Sequence, residues 1–358
     1  MSKNELWSLL QQSALVEGDL SEQNEKHSPW FVRAMLGVAG WLGAMFLVGF
    51  VGTGLSLATM ETEAYWVIGA FACGGAAAIF RLRRNGDFSS QFGLAVAIAG
   101  QVLMMLGMGR WISHSSTTVA FIVAVQQAIL FVAMPNFVHR VWAAGTSALA
   151  LCIALGGLDL HALILPLLTA GLAVAWLREF KLPKQNELVR ACGYGITLTA
   201  LIASYMNPGE FDWTGYDNIP VAPEFLQIVA YAGAALIVAV MIGATLLLLQ
   251  REKVSLTSGA GKAALALAIV LALASIKAPG LAPGALILLL GFANGNRVLT
   301  GLGVLALLAY LSYYYYALHI TLLEKSVIMM LTGTALLGLR FASHHWWPAL
   351  NKEETTHA

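Results

Sequence analysis

The stretch FLQIVAYAGAALIVAVMIGATLLLLQ, Phe225 to Gln250, carries no charge and decides the fold class. A helix crosses the hydrocarbon core of a bilayer with roughly twenty apolar residues. Lipid offers the backbone no partners, so a spanning segment satisfies its own amides and carbonyls as a helix or a closed barrel. This stretch is long enough to cross as a helix. The rest of the chain has the same character. Of 358 residues, 58% are hydrophobic and 11% charged, against about a quarter charged in a soluble domain. The mean hydropathy of +0.74 agrees. A soluble enzyme and an intrinsically disordered chain are both excluded.

Working outward, the sequence reads as an all-α, polytopic transmembrane bundle of about twelve spans, at 34–57, 63–80, 89–108, 117–134, 140–158, 161–177, 188–206, 225–250, 261–276, 280–293, 298–316 and 325–342. The positive-inside rule tests that count. With the N-terminus in the cytoplasm, seventeen of the twenty Lys and Arg residues fall in inner segments, and only Arg110, Lys277 and Lys325 lie outside. Both termini are then cytoplasmic. Eight acids fall outside, leaving that face at −5 and the inner face at +6. Solvated loop charge explains this, as does attraction for a basic partner or a cation.

The expected domains are a cytoplasmic helical hairpin over 1–30, the bundle over 31–342 and a cytoplasmic tail over 343–358. Ser2 and Glu5 form a capping box opening an amphipathic helix to about Val16; Asp19 and Glu22 open a second one. Met1 to Trp30 is polar and lacks the pattern of a cleavable signal peptide. The stretch AALALAIVLALASIKAPGLAPGALILLLGFA, Ala263 to Ala293, is interrupted by Lys277, Pro279 and Pro283. It reads as two short tilted spans or as a re-entrant pair of the kind found at transporter sites.

No ionisable residue falls at the centre of a span, and such residues usually mark function there. The polar residues inside the spans are amides, Gln101, Gln126, Gln127 and, nearer an end, Gln227, suited to interhelical hydrogen bonding or to a substrate. Cys73, Cys152 and Cys192 are widely spaced, without metal or disulfide patterning. Adjacent His344 and His345 point apart and suit the interface better than a metal. Gly37, Gly40 and Gly43 suit close helix packing, not a dinucleotide site. No catalytic residue, cofactor or metal site is assigned, and net charge +1 points to no nucleic-acid partner.

One longer pattern runs LLLGFANGNRVLTGLGVLALLAYLSYYYYALHITLLEKSVIMMLTGTALLGLR from Leu288 to Arg340, with a GFxxGNR turn, a tyrosine run and a TLLxKS entry to the last span. Together with PWFVRAMLGVAGWLGAMFLVGF from Pro29 to Phe50, it resembles the bacterial domain-of-unknown-function family 4401. The resemblance implies a polytopic inner-membrane protein often encoded beside a protein with a GDYXXLXY motif, and so an envelope partner. It brings no activity.

Physically, the pattern puts polar groups at both ends of one span. Asn294, Asn296 and Arg297 make an inner turn in which Gly295 suits a left-handed backbone. Tyr313, Tyr314, Tyr315, Tyr316, His319, Glu324, Lys325 and Ser326 make an outer cluster, the leading candidate for a partner or ligand, with ordinary anchoring at the membrane interface as the commoner role of any single member. The expected function is a non-enzymatic subunit of an envelope complex, in contact with membrane lipids and of open oligomeric state. A small-molecule or lipid transporter or flippase is the alternative. A transferase using an outer acid such as Glu61 or Glu63 is a third reading.

Overall fold

The computed structural model describes residues 3–13, 30–57, 62–82, 87–108, 116–181, 185–205, 222–317 and the single residues 323, 326, 330, 334 and 337. Every regular element among them is a helix. In chain order these are α1 (Lys3–Gln12), α2 (Trp30–Leu57), α3 (Thr62–Leu82), α4 (Asp87–Gly107), α5 (Ser116–Ala133), α6 (Phe137–Gly156), α7 (His161–Arg178), α8 (Asn186–Tyr205), α9 (Pro223–Arg251), α10 (Gly259–Lys277), α11 (Leu281–Ala293) and α12 (Arg297–Ala317). By length and composition, eight of these, α3 to α10, suffice to cross a membrane. Met45–Gly54 in α2, Leu281–Ala293 and Arg297–Tyr313 in α12 are shorter apolar stretches. The expected span at 325–342, apart from isolated residues, lies outside the described residues. So do the second helix of the N-terminal hairpin, the tail and most of the 207–223 loop.

The chain divides into two compact units, Met1–Leu106 and Gly107–Ala358. In the first, α3 and α4 pack antiparallel, and their backbones approach because small residues meet. A Cβ on Gly69 would strike the Gly100 carbonyl, and one on Gly93 the Phe80 ring. The Cys73 thiol donates to the Ala97 carbonyl at 3.6 Å. Cys73 is thus a small packing residue, as its apolar setting suggested.

In the second unit α5 and α6 form an antiparallel pair, registered by the Ser147 hydroxyl donating to the Ala124 carbonyl at 2.9 Å. Asn136 caps α6, its Oδ1 accepting from the His139 amide at 3.0 Å. Helix α8 runs parallel to α6, with Gly195 against Ala144 and Gly145 and the Thr199 hydroxyl on the Gly145 carbonyl. Pro223 opens α9, where a missing amide is harmless; Glu224 in its first turn and Arg251 in its last both suit the helix dipole. The core gathers Leu172 and Trp176 of α7, Ala200 of α8, Met241 of α9, Leu286 and Leu290 of α11 and Leu299 of α12.

The interruption expected at Lys277 to Pro283 is present: α10 ends at Lys277 and α11 starts at Leu281. The thirteen residues of α11 reach only about 20 Å. Gly280 lies against the Tyr310 ring, so the α10–α11 corner sits roughly 10 Å short of the end of α12. Gly303 faces the Leu288 backbone and Gly291 faces Leu299 and Thr300, which draws α11 and α12 together.

Candidate functional site

The densest polar geometry grows from the turn between α11 and α12. Gly295 takes φ +63, the left-handed backbone expected of it. The Asn296 amide then donates to the Gly291 carbonyl at 2.9 Å and the Gly295 amide to Phe292 at 3.1 Å. That pair of bonds closes α11 as a Schellman motif. It leaves two asparagine side chains aimed into the bundle end.

Asn294 joins two helices to its own turn. Its Nδ2 donates to the Trp176 carbonyl of α7 at 2.9 Å and to Glu179 Oε2 at 3.0 Å. Its Oδ1 accepts from Arg251 Nη1 of α9 at 2.7 Å. Asn296 caps α12 by accepting from the Leu299 amide at 3.1 Å, and its Nδ2 donates to the Tyr194 hydroxyl of α8 at 2.8 Å. The rings of Tyr194 and Trp176 meet edge-on at 4.9 Å, and the Trp176 indole donates to the Thr197 hydroxyl at 3.1 Å. Gly193 makes this possible, because a Cβ there would strike the Trp176 ring.

Glu179, 6% exposed, is the charged centre. Arg190 Nε stands 3.5 Å from Oε1. The Arg251 guanidinium lies 5.1 Å over the Phe180 ring, which fixes its direction. Burial raises the Glu179 carboxyl above its ordinary range, while Arg190, Asn294 and Arg251 pull it back. A short distance away Arg140 Nη1 pairs with Glu187 Oε1 at 2.8 Å, linking the starts of α6 and α8. Chemically the arrangement fastens α7, α8, α9, α11 and α12 at one end. Its carboxylate oxygens face donors from the protein itself.

Among the sequence candidates, Asn294 and Asn296 are therefore half-buried in this network, and Arg297 is exposed at the start of α12. Tyr313 lies at the other end of α12, its ring 5.6 Å from Tyr205 and 6.4 Å from Tyr310. Tyr314 belongs to the helix, while Tyr315 and Tyr316 stack edge-on at 5.5 Å. Ser326 is helical and exposed. His319, Glu324 and Lys325 lie outside the described residues. Asn294, Asn296 and Arg297 thus stand at one end of α12 and Tyr313 to Tyr316 at the other. Sequence reasoning missed Glu179, Arg251, Trp176, Tyr194, Tyr205 and Tyr310. A signal for Glu179 existed: it is an acid directly after a span, inside a basic segment.

Gln127 is buried and Gln126 half-buried in α5, Gln101 is buried in α4, and Gln227 is exposed in α9. Among the described residues no group of three or more His, Cys, Asp or Glu is placed to hold a metal.

The family model named domain of unknown function DUF4401 matches residues 29–344. The chain belongs to this family. The DUF4401 match takes in both ends of α12, the Glu179 network and the α5–α6 pair. No curated protein and no solved structure matches the chain.

Proposed function

We propose that this DUF4401 protein is a non-enzymatic subunit of an envelope complex in the bacterial inner membrane. It crosses the bilayer about twelve times with both termini cytoplasmic, the hairpin at 1–30, the bundle at 31–342 and the tail at 343–358. In this reading α10 is a crossing of ordinary length and α11 a short one. The outer tyrosine stretch meets the partner, an envelope protein such as one with a GDYXXLXY motif.

The observation that carries the reading is the contrast within one tyrosine run. Tyr313 is held by Tyr205 and Tyr310, whereas Tyr316 is 79% exposed. A rigidly based, projecting aromatic is what protein interfaces favour as an anchor. The test is co-purification in mild detergent. The neighbouring envelope protein is expected to elute with the chain, and Tyr316→Ala to weaken the complex. A chain that elutes alone with that neighbour present overturns the reading. Reporter fusions in the Arg178–Arg190 segment are expected on the cytoplasmic side.

A second reading, a small-molecule or lipid transporter, is favoured by the polar atoms of Gln126 and Gln127, which are shielded within an apolar helix.

A further inference from the structure

The side-chain nitrogen and oxygen of Gln126, Oε1 of Gln127, Nε of Arg140 and Oδ1 of Asn186 are all shielded from solvent without a hydrogen-bond partner among the described residues. These atoms are not scattered. Ser147 bonded to Ala124 fixes how α5 and α6 face each other. One turn on from Ala124, on the same helix stripe, is Gln127, 1% exposed. One and two turns back from Ser147 on α6 are Ala143 and His139, both fully buried. Gln127 therefore meets the small Ala143, with His139 roughly 6 Å further toward the start of α6. There Arg140 pairs with Glu187, and Asn186 opens α8. The polar atoms of Asn186, Arg140 and Gln127 follow one another in a file from the end of the bundle into the middle of α5, and Gln126 flanks them about 100° round the helix.

We propose that this file is a hydrated inlet. It admits water, and neutral solutes bearing both a donor and an acceptor, from the Arg140 end to the Gln126–Gln127 pair. Buried polar atoms take up internal water, each molecule making two to four hydrogen bonds. A primary amide supplies one acceptor and one donor group, which matches a neutral ligand and gives an ion no countercharge. Helix α6 does not fill this role for Gln127, because the residue it sets opposite is the apolar Ala143 and Gln127 Oε1 has no hydrogen-bond partner among the described residues. The outward face of α5 belongs to Phe121, Val125, Ile129 and Val132. The inlet goes beyond the partner surface proposed above and rests only on α5 and α6 lying in a membrane.

Cysteine reactivity in lipid nanodiscs tests it on the full chain, with Cys73→Ala, Cys152→Ala and Cys192→Ala as background. The probe is methyl methanethiosulfonate, small and uncharged, which reacts with the thiolate that forms where water reaches. Ala143→Cys and the near-isosteric Ser147→Cys are expected to react at least roughly tenfold faster than Ile129→Cys on the apolar face. Adding Gln127→Leu is expected to slow both toward the Ile129→Cys rate. Equal, slow reaction at all three positions in protein eluting as a single species overturns the inlet. Fast reaction at Ile129→Cys instead overturns the placement of α5 in lipid, and the inlet with it.

Discussion

At one end of the second unit, the close of α7 and α9 and the starts of α8 and α12 meet through amides, guanidinium groups and one buried carboxylate. At the other end, the close of α8 meets α12 through the rings of Tyr205, Tyr310 and Tyr313. The first end is directional: each donor has an assigned acceptor, so a lost side chain strands a neighbour. The second is held by ring packing, which tolerates a change of shape. The difference teaches where this fold is brittle. Hydrogen-bonded ends in an apolar surrounding carry a large penalty when half broken, while aromatic contacts fade gradually.

Four substitutions or conditions probe that contrast. Trp176→Ala is expected to have the largest effect, about 3–5 kcal/mol, because it removes a fully buried large side chain and leaves a cavity. It also deprives Tyr194 of its edge contact and Thr197 of its donor. Thermal unfolding in detergent measures it. Asn294→Ala comes next, at roughly 1–3 kcal/mol, since Glu179, Arg251 and the Trp176 carbonyl all lose a partner. Asn294→Asp tests direction, because its new carboxylate faces Glu179. A loss greater than that of alanine is expected, read from the same melting curves. At the other end, Tyr313→Leu is expected to cost only about 1 kcal/mol, the size of an aromatic pair. An equal loss from Asn294→Ala and Tyr313→Leu would break the comparison.

The pH dependence sharpens it. A carboxyl raised in the folded state binds its proton more tightly there than in the unfolded chain. Its stabilising contribution is present below the ordinary carboxyl range and is lost as pH rises through the raised folded value. Melting temperature followed upward from pH 4 is therefore expected to carry a decreasing component from Glu179. Glu179→Gln is expected to remove that component and to leave the tyrosine end unaffected.

Much of the helical layout was open to sequence reading. Apolar runs at 161–177, 188–206 and 225–250 became His161–Arg178, Asn186–Tyr205 and Pro223–Arg251. Uninterrupted apolar length is a strong local signal, and prolines and glycines mark its ends. The interruption near Lys277 and the left-handed Gly295 were legible for the same reason. The site was less so. Asn294 and Asn296 stood out as polar residues in a turn, but their reading as ligand candidates missed the residues they bind. Glu179 lies more than a hundred residues away in sequence, and nothing in either segment names the other. Tyr194 and Trp176 resembled ordinary span residues until Gly193 let them meet.

The sequence by itself determined that this chain is a set of apolar helices, because burying or spanning with backbone amides demands helix once charge is this sparse. It also determined where the chain turns, since proline and glycine act on their own backbone. Only the tertiary structure decided which helix ends are bound together. In an apolar surrounding every polar side chain seeks a partner, and the choice depends on which helices approach closely, through small residues such as Gly193, Gly195, Gly291 and Gly303.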